Sequence, residues 1–307
     1  MRLTFLDALT LGDIDLTIFN NLGEVEIYLT TKKTETIKRL QNTDIVLTNK
    51  VIIDKEVIDN TNLKMIQVLA TGMNNVDVEY AKQKGIIVKN VTGYSTKSVA
   101  QLTFAMVLNI MNKISYFDNY SKTNYSQSDI FTHIVNFEEL NGKTWGIIGL
   151  GTIGKEVGKI AKAFGCEVVY YSTTGKNDNN EYKRVSLDEV LKSKIISIHS
   201  PLNENTKNLL NKDNLSLIPK NSILINMGRG GIVNEEDLAN IIDKNGFYAG
   251  FDVFSVEPIS KDNPLLKIKN IILTPHIAWA SKEARNKLIQ LAYQNINQAF
   301  HQNTITK

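Results

Sequence analysis

Gly149-Leu150-Gly151-Thr152-Ile153-Gly154 stands between a short apolar run, Thr144-Trp145-Gly146-Ile147-Ile148, and an amphipathic one. The G-x-G-x-x-G spelling alone is weak, because 18 glycines in 307 residues produce near-matches by chance. Its setting is what counts. The apolar run reads as a short buried strand, and Ile153, Val157, Ile160, Ala161 and Phe164 then recur at helical spacing, with Gly165 placed to act as a left-handed cap. Cys166 to Tyr171 reads as a second strand and completes a β-α-β unit of roughly 30 residues. In such a unit the first glycine permits the tight turn and the second lets a pyrophosphate approach the backbone. The third lets helix and strand pack closely, and the helix N-terminus offers unpaired N–H groups to the anion. The unit is expected to bind a nucleotide, with Gly149, Gly151, Thr152, Ile153 and Gly154 as its contacts.

One position departs from the common version. An acidic residue about 20 residues on would accept hydrogen bonds from the adenosine ribose. Here the second strand ends in Tyr171-Ser172-Thr173-Thr174-Gly175-Lys176, with Ser172 where the carboxylate is expected. Without a carboxylate a 2′-phosphate is not repelled, and three hydroxyls with Lys176 are able to bind one. A solvated loop that leaves NAD bound without the acid is the other reading, so NAD(H) and NADP(H) both stay open.

The chain, at 307 residues, is long enough for two domains. A hydrophobic content of 42% and a charged content of 22% are ordinary for a soluble globular protein. A formal net charge of +3 is too small to argue for nucleic acid, and no Lys/Arg cluster with interleaved aromatics appears. Lys176 to Arg184 is mildly basic, but Asp178 and Glu181 interrupt it. The single cysteine, Cys166, excludes an internal disulfide and a cysteine-based zinc site, and no metal is expected. No run approaches 18 apolar residues, and the N-terminal residues lack the apolar core of a signal peptide, so the expected location is the cytoplasm without a membrane partner.

Strand-like and helix-like segments alternate along the chain, which argues for parallel sheets covered by helices. Strands are expected at Leu3–Leu6, Val25–Tyr28, Ile45–Leu47, Met65–Leu69 and Ile87–Lys89, then at Ile195–Ile198, Ser222–Asn226, Tyr248–Val253 and Ile271–Leu273. A long helix is expected from Ser98 towards Tyr116, followed by a surface loop from Asn119 to Asp129. Ser186-Leu187-Asp188-Glu189 is a capping box, Asn234 caps a helix that stops near Gly246, and Ser281 opens a final helix. That helix is expected to return to the first domain, giving a substrate-binding domain of residues 1–97 and 283–307 around a dinucleotide-binding domain of residues 98–282.

A hydride-transferring site needs a cation for a carboxylate and a carbonyl, a proton donor, and a group to hold that donor. Arg229, in Asn226-Met227-Gly228-Arg229-Gly230-Gly231, directly follows a strand, where ligands bind in such sheets. A guanidinium can hydrogen-bond a 2-oxo acid at both groups in a planar fashion, which a lysine cannot. The alternative is an arginine that braces a surface loop. His276, in Thr274-Pro275-His276-Ile277-Ala278-Trp279, also lies just past an apolar strand, and histidine is the side chain best suited to give a proton at pH 7. His133 and His301 read as structural, and His199, before Pro201, as a lining of the cofactor cleft with no proton-transfer role. Glu257, in Asp252-Val253-Phe254-Ser255-Val256-Glu257-Pro258, would fix the tautomer of His276 and stabilise its protonated form, unless it is a solvent-exposed loop glutamate. Asp252 is placed to accept a hydrogen bond from a nicotinamide carboxamide.

Together these segments resemble the D-2-hydroxyacid dehydrogenase family over nearly the whole chain. The glycine motif, Gly228-Arg229-Gly230, Asp252 to Pro258 and Thr274-Pro275-His276 fall in the family's order and spacing. The resemblance implies an α/β fold of two Rossmann-like domains, one flavodoxin-like and one dinucleotide-binding, with parallel sheets and an interdomain cleft. It implies that Arg229 binds and polarises the substrate, that Glu257 orients His276, and that His276 is the acid/base. It adds Ser172, Pro201, Thr206, Met227, Gly228, Asp252 and Trp279 as cofactor contacts. Ala70-Thr71-Gly72-Met73-Asn74-Asn75-Val76-Asp77 looks like the family's substrate loop, with main-chain N–H groups near Thr71 and Gly72 holding the carboxylate. Val91 to Ser95, Ser98 to Gln101 and Ala278 to Ser281 are similar to the glycerate dehydrogenase (hydroxypyruvate reductase) branch, where Gln101 stands in place of a frequent glutamate. Tyr125 takes the place of a frequent tryptophan in the loop the resemblance assigns to a homodimer contact.

The implied reaction is reversible NAD(P)-dependent reduction of hydroxypyruvate or glyoxylate to the D-2-hydroxy acid, or to glycolate. Two alternatives are a formate dehydrogenase on the same fold, where glutamine is typical in place of Glu257, and a dinucleotide-sensing corepressor that keeps the triad but acts by protein contact.

Overall fold

The computed structural model describes residues 1–176 and 181–300, so Asp178 and His301 lie outside the described residues. The chain divides into two compact units, Met1–Ser95 with Ala280–Lys307, and Thr96–Trp279.

The first unit begins with β1 (Arg2–Phe5), β2 (Glu24–Ile27), α1 (Lys33–Leu40), β3 (Ile45–Thr48), α2 (Lys55–Asp59), β4 (Met65–Val68), α3 (Val78–Gln83) and β5 (Ile87–Lys89). Its five strands are parallel in the order β2-β1-β3-β4-β5, which is the flavodoxin-like arrangement. Burial explains which strands are central. β3 and β4 are buried along their whole length, as apolar runs covered on both faces must be, whereas β2 and β5 carry Glu24, Glu26 and Lys89 at the sheet edges.

The second unit runs α4 (Thr96–Asn112), α5 (Ile114–Thr123), β6 (Thr144–Ile148), α6 (Thr152–Ala163), β7 (Glu167–Tyr171), β8 (Lys183–Arg184) and α7 (Leu187–Leu191). It continues with β9 (Ile195–Ile198), β10 (Ile223–Asn226), α8 (Glu235–Asn245), β11 (Tyr248–Phe251) and β12 (Ile271–Leu273). The order β12-β11-β10-β9-β6-β7-β8, all parallel, is doubly wound about β6. The chain moves outward from β6 to β7 and β8, then returns to β9 on the other side, so the crevice above β6 is the topological switch point where ligands bind. One face of the sheet packs α4 and α6 around Trp145, Ile147, Ile225 and Val157. The other packs α7 and α8 around Ile148, Ile196, Leu224 and Leu238. Gly250 lets α4 approach, since a Cβ there would stand 2.9 Å from the Met106 sulfur and 2.8 Å from Ile225. The last helix, α9 (Lys282–Phe300), belongs to the first unit and is opened by the Ser281 hydroxyl, which accepts the Ala284 N–H at 3.2 Å.

Two sequence expectations are corrected in the second unit. The long helix from Ser98 does not run to Tyr116. It stops at Asn112, Lys113 turns into the left-handed region (φ 53°), and α5 starts anew. Asn109 explains the break, because its side-chain oxygen takes the Ser115 N–H at 3.0 Å, a donor that a continuous helix would give to Met111. The stretch from Asn119 to Asp129 is not all loop, for α5 continues to Thr123 and a 3-10 turn covers Tyr125–Gln127. Aromatic packing stabilises it: His133 stacks on Tyr120 at 3.9 Å and hydrogen-bonds the Tyr116 hydroxyl at 2.9 Å. Among the described residues no helix is long and apolar enough to cross a membrane, and no group of three His, Cys, Asp or Glu is arranged to hold a metal ion.

Candidate active site

The functional side chains of the second unit stand at the carboxyl ends of six parallel strands. Three of these ends build the glycine turn. Gly149 follows β6 with φ 92°, a conformation side chains rarely adopt, and its N–H bonds the Tyr171 carbonyl of β7 at 3.0 Å. The His199 N–H past β9 bonds the Ile148 carbonyl at 2.9 Å, which closes the other side. Gly154 has no room for a side chain, since its Cβ would meet the Gly149 carbonyl at 2.4 Å. Gly151, the N-cap of α6, has open space where a Cβ would stand and no side-chain cap. No side chain caps the start of α6 at Thr152 and Ile153.

Polar atoms around this turn are buried without partners. Among the described residues, Ser172 Oγ, Ser200 Oγ and both ring nitrogens of His199 are covered and make no hydrogen bond. Part of the His199 residue reaches the surface, but its nitrogens do not, and their burial lowers the imidazole to about 3, so the ring is neutral. Orphaned polar groups of this kind call for a ligand, and a dinucleotide fits. Pro201 is exposed, while Thr206 is fully buried with its hydroxyl donating to the Pro201 carbonyl at 2.7 Å and accepting the Asn203 N–H at 2.8 Å. Thr206 thus shapes the loop that follows β9.

The other three strand ends carry Arg229, Glu257 and His276, and here polar atoms are matched. Asn226, the last residue of β10, is buried; its Oδ1 accepts the Gly228 N–H at 3.1 Å and its Nδ2 donates to the Arg229 carbonyl at 3.1 Å. It bends the Met227–Arg229 turn so that Arg229 lies partly exposed, its guanidinium donating to the Gly228 carbonyl at 2.8 Å. Past β11, Asp252 is buried and accepts from the Thr274 hydroxyl at 2.6 Å and from the Ile277 and Ala278 N–H groups at 2.8 Å each. Burial pushes its carboxyl above the usual carboxylate range, against the pull of these donors and of His276. The segment it splints, just past β12, contains His276 in the left-handed region at φ 54°. A non-glycine residue costs about 1–3 kcal/mol there and persists only where the surroundings over-determine it. Asp252, with its bonds on either side of His276, is that over-determination.

His276 Nδ1 donates to Glu257 Oε2 at 2.6 Å, and Glu257 Oε1 accepts the Phe254 N–H at 3.1 Å. A carboxylate only accepts, so Nδ1 carries the proton in this pair and Nε2 is left for a reacting group. Both side chains keep about a quarter of their surface, 24% for His276 and 29% for Glu257, enough to meet a substrate.

Reading the sequence missed Glu235 and Asn226. Glu235 opens α8, and its carboxylate accepts from the Ser255 N–H at 2.6 Å, the Ser255 hydroxyl at 2.8 Å and Asn263 Nδ2 at 2.7 Å. It therefore ties the helix that follows the Arg229 turn to the turn that bears Glu257. Gly230 brings the same two turns together, because a Cβ there would overlap the Phe254 carbonyl. Asn226 was detectable as the single polar residue ending the run Ile223-Leu224-Ile225; nothing local pointed Glu235 at Ser255. Met227 is buried beneath the turn, and Trp279 is half-buried at the end of the unit. Thr71 and Gly72 lie in the first unit, past β4, where the Thr71 hydroxyl donates to the Val91 carbonyl at 3.1 Å and Asn90 Nδ2 to the Thr71 carbonyl at 2.6 Å.

A doubly wound sheet with a glycine turn at its switch point, and a carboxylate-held histidine and an arginine at neighbouring strand ends, defines a nicotinamide-dependent oxidoreductase. Residues 104–278 match the family model for the NAD binding domain of D-isomer specific 2-hydroxyacid dehydrogenases, and the chain belongs to that family. It is 39% identical to a hydroxypyruvate reductase of Blautia hydrogenotrophica, covering 97% of this chain and 96% of that protein. It is 36% identical to a glyoxylate reductase of Thermococcus litoralis over 85% and 81% of the two chains. A solved acyclic imino acid reductase in complex with NADPH and D-Arg superposes with a TM-score of 0.88 at 30% identity, covering 99% of each chain. The protein is an NAD(P)-dependent oxidoreductase acting on 2-hydroxy acids.

Proposed function

We propose that the protein reduces a small 2-oxo acid, hydroxypyruvate or glyoxylate, to the D-2-hydroxy acid or to glycolate, with His276 as the acid. The observation that carries this reading is the 2.6 Å bond between His276 Nδ1 and Glu257, which leaves Nε2 as the proton donor. Its similarity to hydroxypyruvate and glyoxylate reductases supports the substrate class. A reduced nicotinamide, when bound, supplies the hydride that adds to the keto carbon. In its doubly protonated form His276 gives the Nε2 proton to the keto oxygen and becomes the neutral Nδ1–H tautomer, which Glu257 keeps fixed. Arg229 turns from the Gly228 carbonyl to the substrate, where its planar fork meets the carboxylate and the polarised oxygen. In the reverse direction the same imidazole, deprotonated, accepts the hydroxyl proton.

The test is a panel of 2-oxo acids with NADH and NADPH, followed by loss of nicotinamide absorbance. Hydroxypyruvate and glyoxylate are expected to give the highest kcat/KM. Silence with every 2-oxo acid alongside tight dinucleotide binding would favour a sensor instead. A homodimer is proposed as well, supported by the apolar side chains that the segment after α5 leaves to solvent: Ile130 is 62% exposed, Phe131 89% and Ile134 78%. Light scattering giving a monomer mass at micromolar concentration would overturn it.

A further inference from the structure

We infer that the turn Ser172–Lys176, braced by Arg184, is a phosphate site, and that the protein takes NADP(H) in preference to NAD(H). The inference deepens the reading above and needs from it only that a dinucleotide lies on the glycine turn.

The turn starts at the end of β7, beside Gly149, where the adenosine ribose of such a cofactor is held. It closes on a Gly175 N–H to Ser172 carbonyl bond of 3.4 Å, and Gly175 takes a left-handed φ of 70°. Arg184 on β8 pairs in register with Tyr170, and its guanidinium donates to the Gly175 carbonyl at 3.1 Å. A strand neighbour therefore holds a permanent cation against the tip of the turn. Thr174 Oγ1 accepts the Lys176 N–H at 3.3 Å, which fixes the backbone ahead of the lysine. From Ser172 to Lys176 the segment carries three hydroxyls, one ammonium and no carboxylate.

Two further observations point to an anion. Ser172 is 6% exposed and its hydroxyl has no partner among the described residues, a donor kept from water with nothing to bond. Alongside lies an open groove of about 860 Å3, running from Leu150 and Gly151 past Lys155 and Lys159 to Lys176. None of these three lysines has an ion-pair partner among the described residues. The carboxylates on the same groove are Glu156 and Glu181, and Glu181 faces Lys162 at 3.5 Å. Tyr182, also on the groove, is held neutral, because burial and Glu181 push its phenol up to about 12. Among the described residues the groove that Lys176 joins thus carries three lysines against two carboxylates, a balance that favours a phosphate monoester of about two negative charges.

Titration of the full chain with NADPH and NADH, without any oxo acid and read by nicotinamide fluorescence, tests the inference. Adenosine 2′,5′-bisphosphate and 5′-AMP serve as competing probes. NADPH is expected to bind at least about tenfold more tightly than NADH, as charge-assisted bonds to a phosphate require. The bisphosphate should beat 5′-AMP by a similar factor, and the advantage should shrink as salt rises. Ser172→Asp is expected to erase or invert the preference, and Lys176→Ala to reduce it about threefold or more. Equal or tighter NADH binding overturns the inference, as does an unchanged NADPH to NADH ratio in both variants or a failure to bind either dinucleotide. Turnover of 2-oxo acids with NADH alone would sink this inference and leave the proposed reaction standing. Tight NADPH binding with no turnover would do the reverse.

Discussion

The two halves of one sheet edge solve opposite problems. Past β6, β7 and β9, buried polar atoms stand without partners among the described residues: Ser172 Oγ, Ser200 Oγ and both nitrogens of His199. Past β10, β11 and β12, Asn226, Asp252, Glu235 and Glu257 each accept or donate two or more bonds inside the protein. A half that binds a large ligand can leave donors for that ligand to satisfy. A half proposed to deliver one proton at one angle needs its geometry set beforehand, since misplacement by an ångström costs orders of magnitude in rate. Unsatisfied groups mark where something binds; over-satisfied ones mark where something is held.

The largest effect should come from removing what is held. His276→Ala is expected to lower kcat by about 10²–10⁴-fold with dinucleotide affinity unchanged, because the His276 side chain is not among the expected cofactor contacts. Steady-state rates beside a fluorescence titration check this, and a parallel loss of cofactor binding would break the division. Asp252→Ala strands three donors around a strained histidine and should cost about 2–4 kcal/mol of stability in denaturant unfolding. Asp252→Asn, which keeps an acceptor and removes a carboxyl that burial already disfavours as an anion, should cost clearly less. Equal losses would mean the splint is not made of these bonds.

Glu235→Ala should act more gently, lowering kcat about tenfold through the Ser255–Glu257 turn while KM and cofactor binding stay near wild type. Glu235→Gln should recover part of that, since its remaining oxygen can still accept from Ser255. The smallest effect belongs to the unsatisfied half. The His199 imidazole is lowered in the folded state to about 3, below its unfolded value, so the unfolded chain binds the extra proton first. Stability is therefore lost as pH falls from about 6.5 towards 3, by about 1 kcal/mol between pH 7 and 5.5. Cofactor-free wild type should lose that much more over this interval than His199→Gln. Equal pH slopes would show that water reaches the ring nitrogens.

Much of this division is legible without coordinates, but unequally. The glycine turn is visible because its requirements are local. Gly149 must adopt positive φ, Gly154 must sit beneath a neighbouring carbonyl, and both fall within six residues of one strand end. Arg229, Glu257 and His276 stand out because each follows an apolar run. Glu235 does not, for its partners Ser255 and Asn263 lie on a loop that meets it only after the sheet has formed. Asn226 bonds within its own turn, to Gly228 and Arg229, and shows in the sequence only as the polar end of an apolar run. The break at Lys113 was hidden for a like reason: Asn109 competes for a backbone donor six residues on, and hydrophobic periodicity is blind to that.

The sequence by itself determined that strands and helices alternate, that a dinucleotide turn lies mid-chain, and that an arginine, a glutamate and a histidine follow later strands. These are properties of spacing and residue type, which short-range physics reads directly. Tertiary structure alone decided that Asp252 splints the histidine, that Glu235 ties two turns together, and that Ser172 is buried with an unspent hydroxyl. Each of those depends on strands far apart in the chain lying side by side, where burial turns an ordinary polar residue into a constraint.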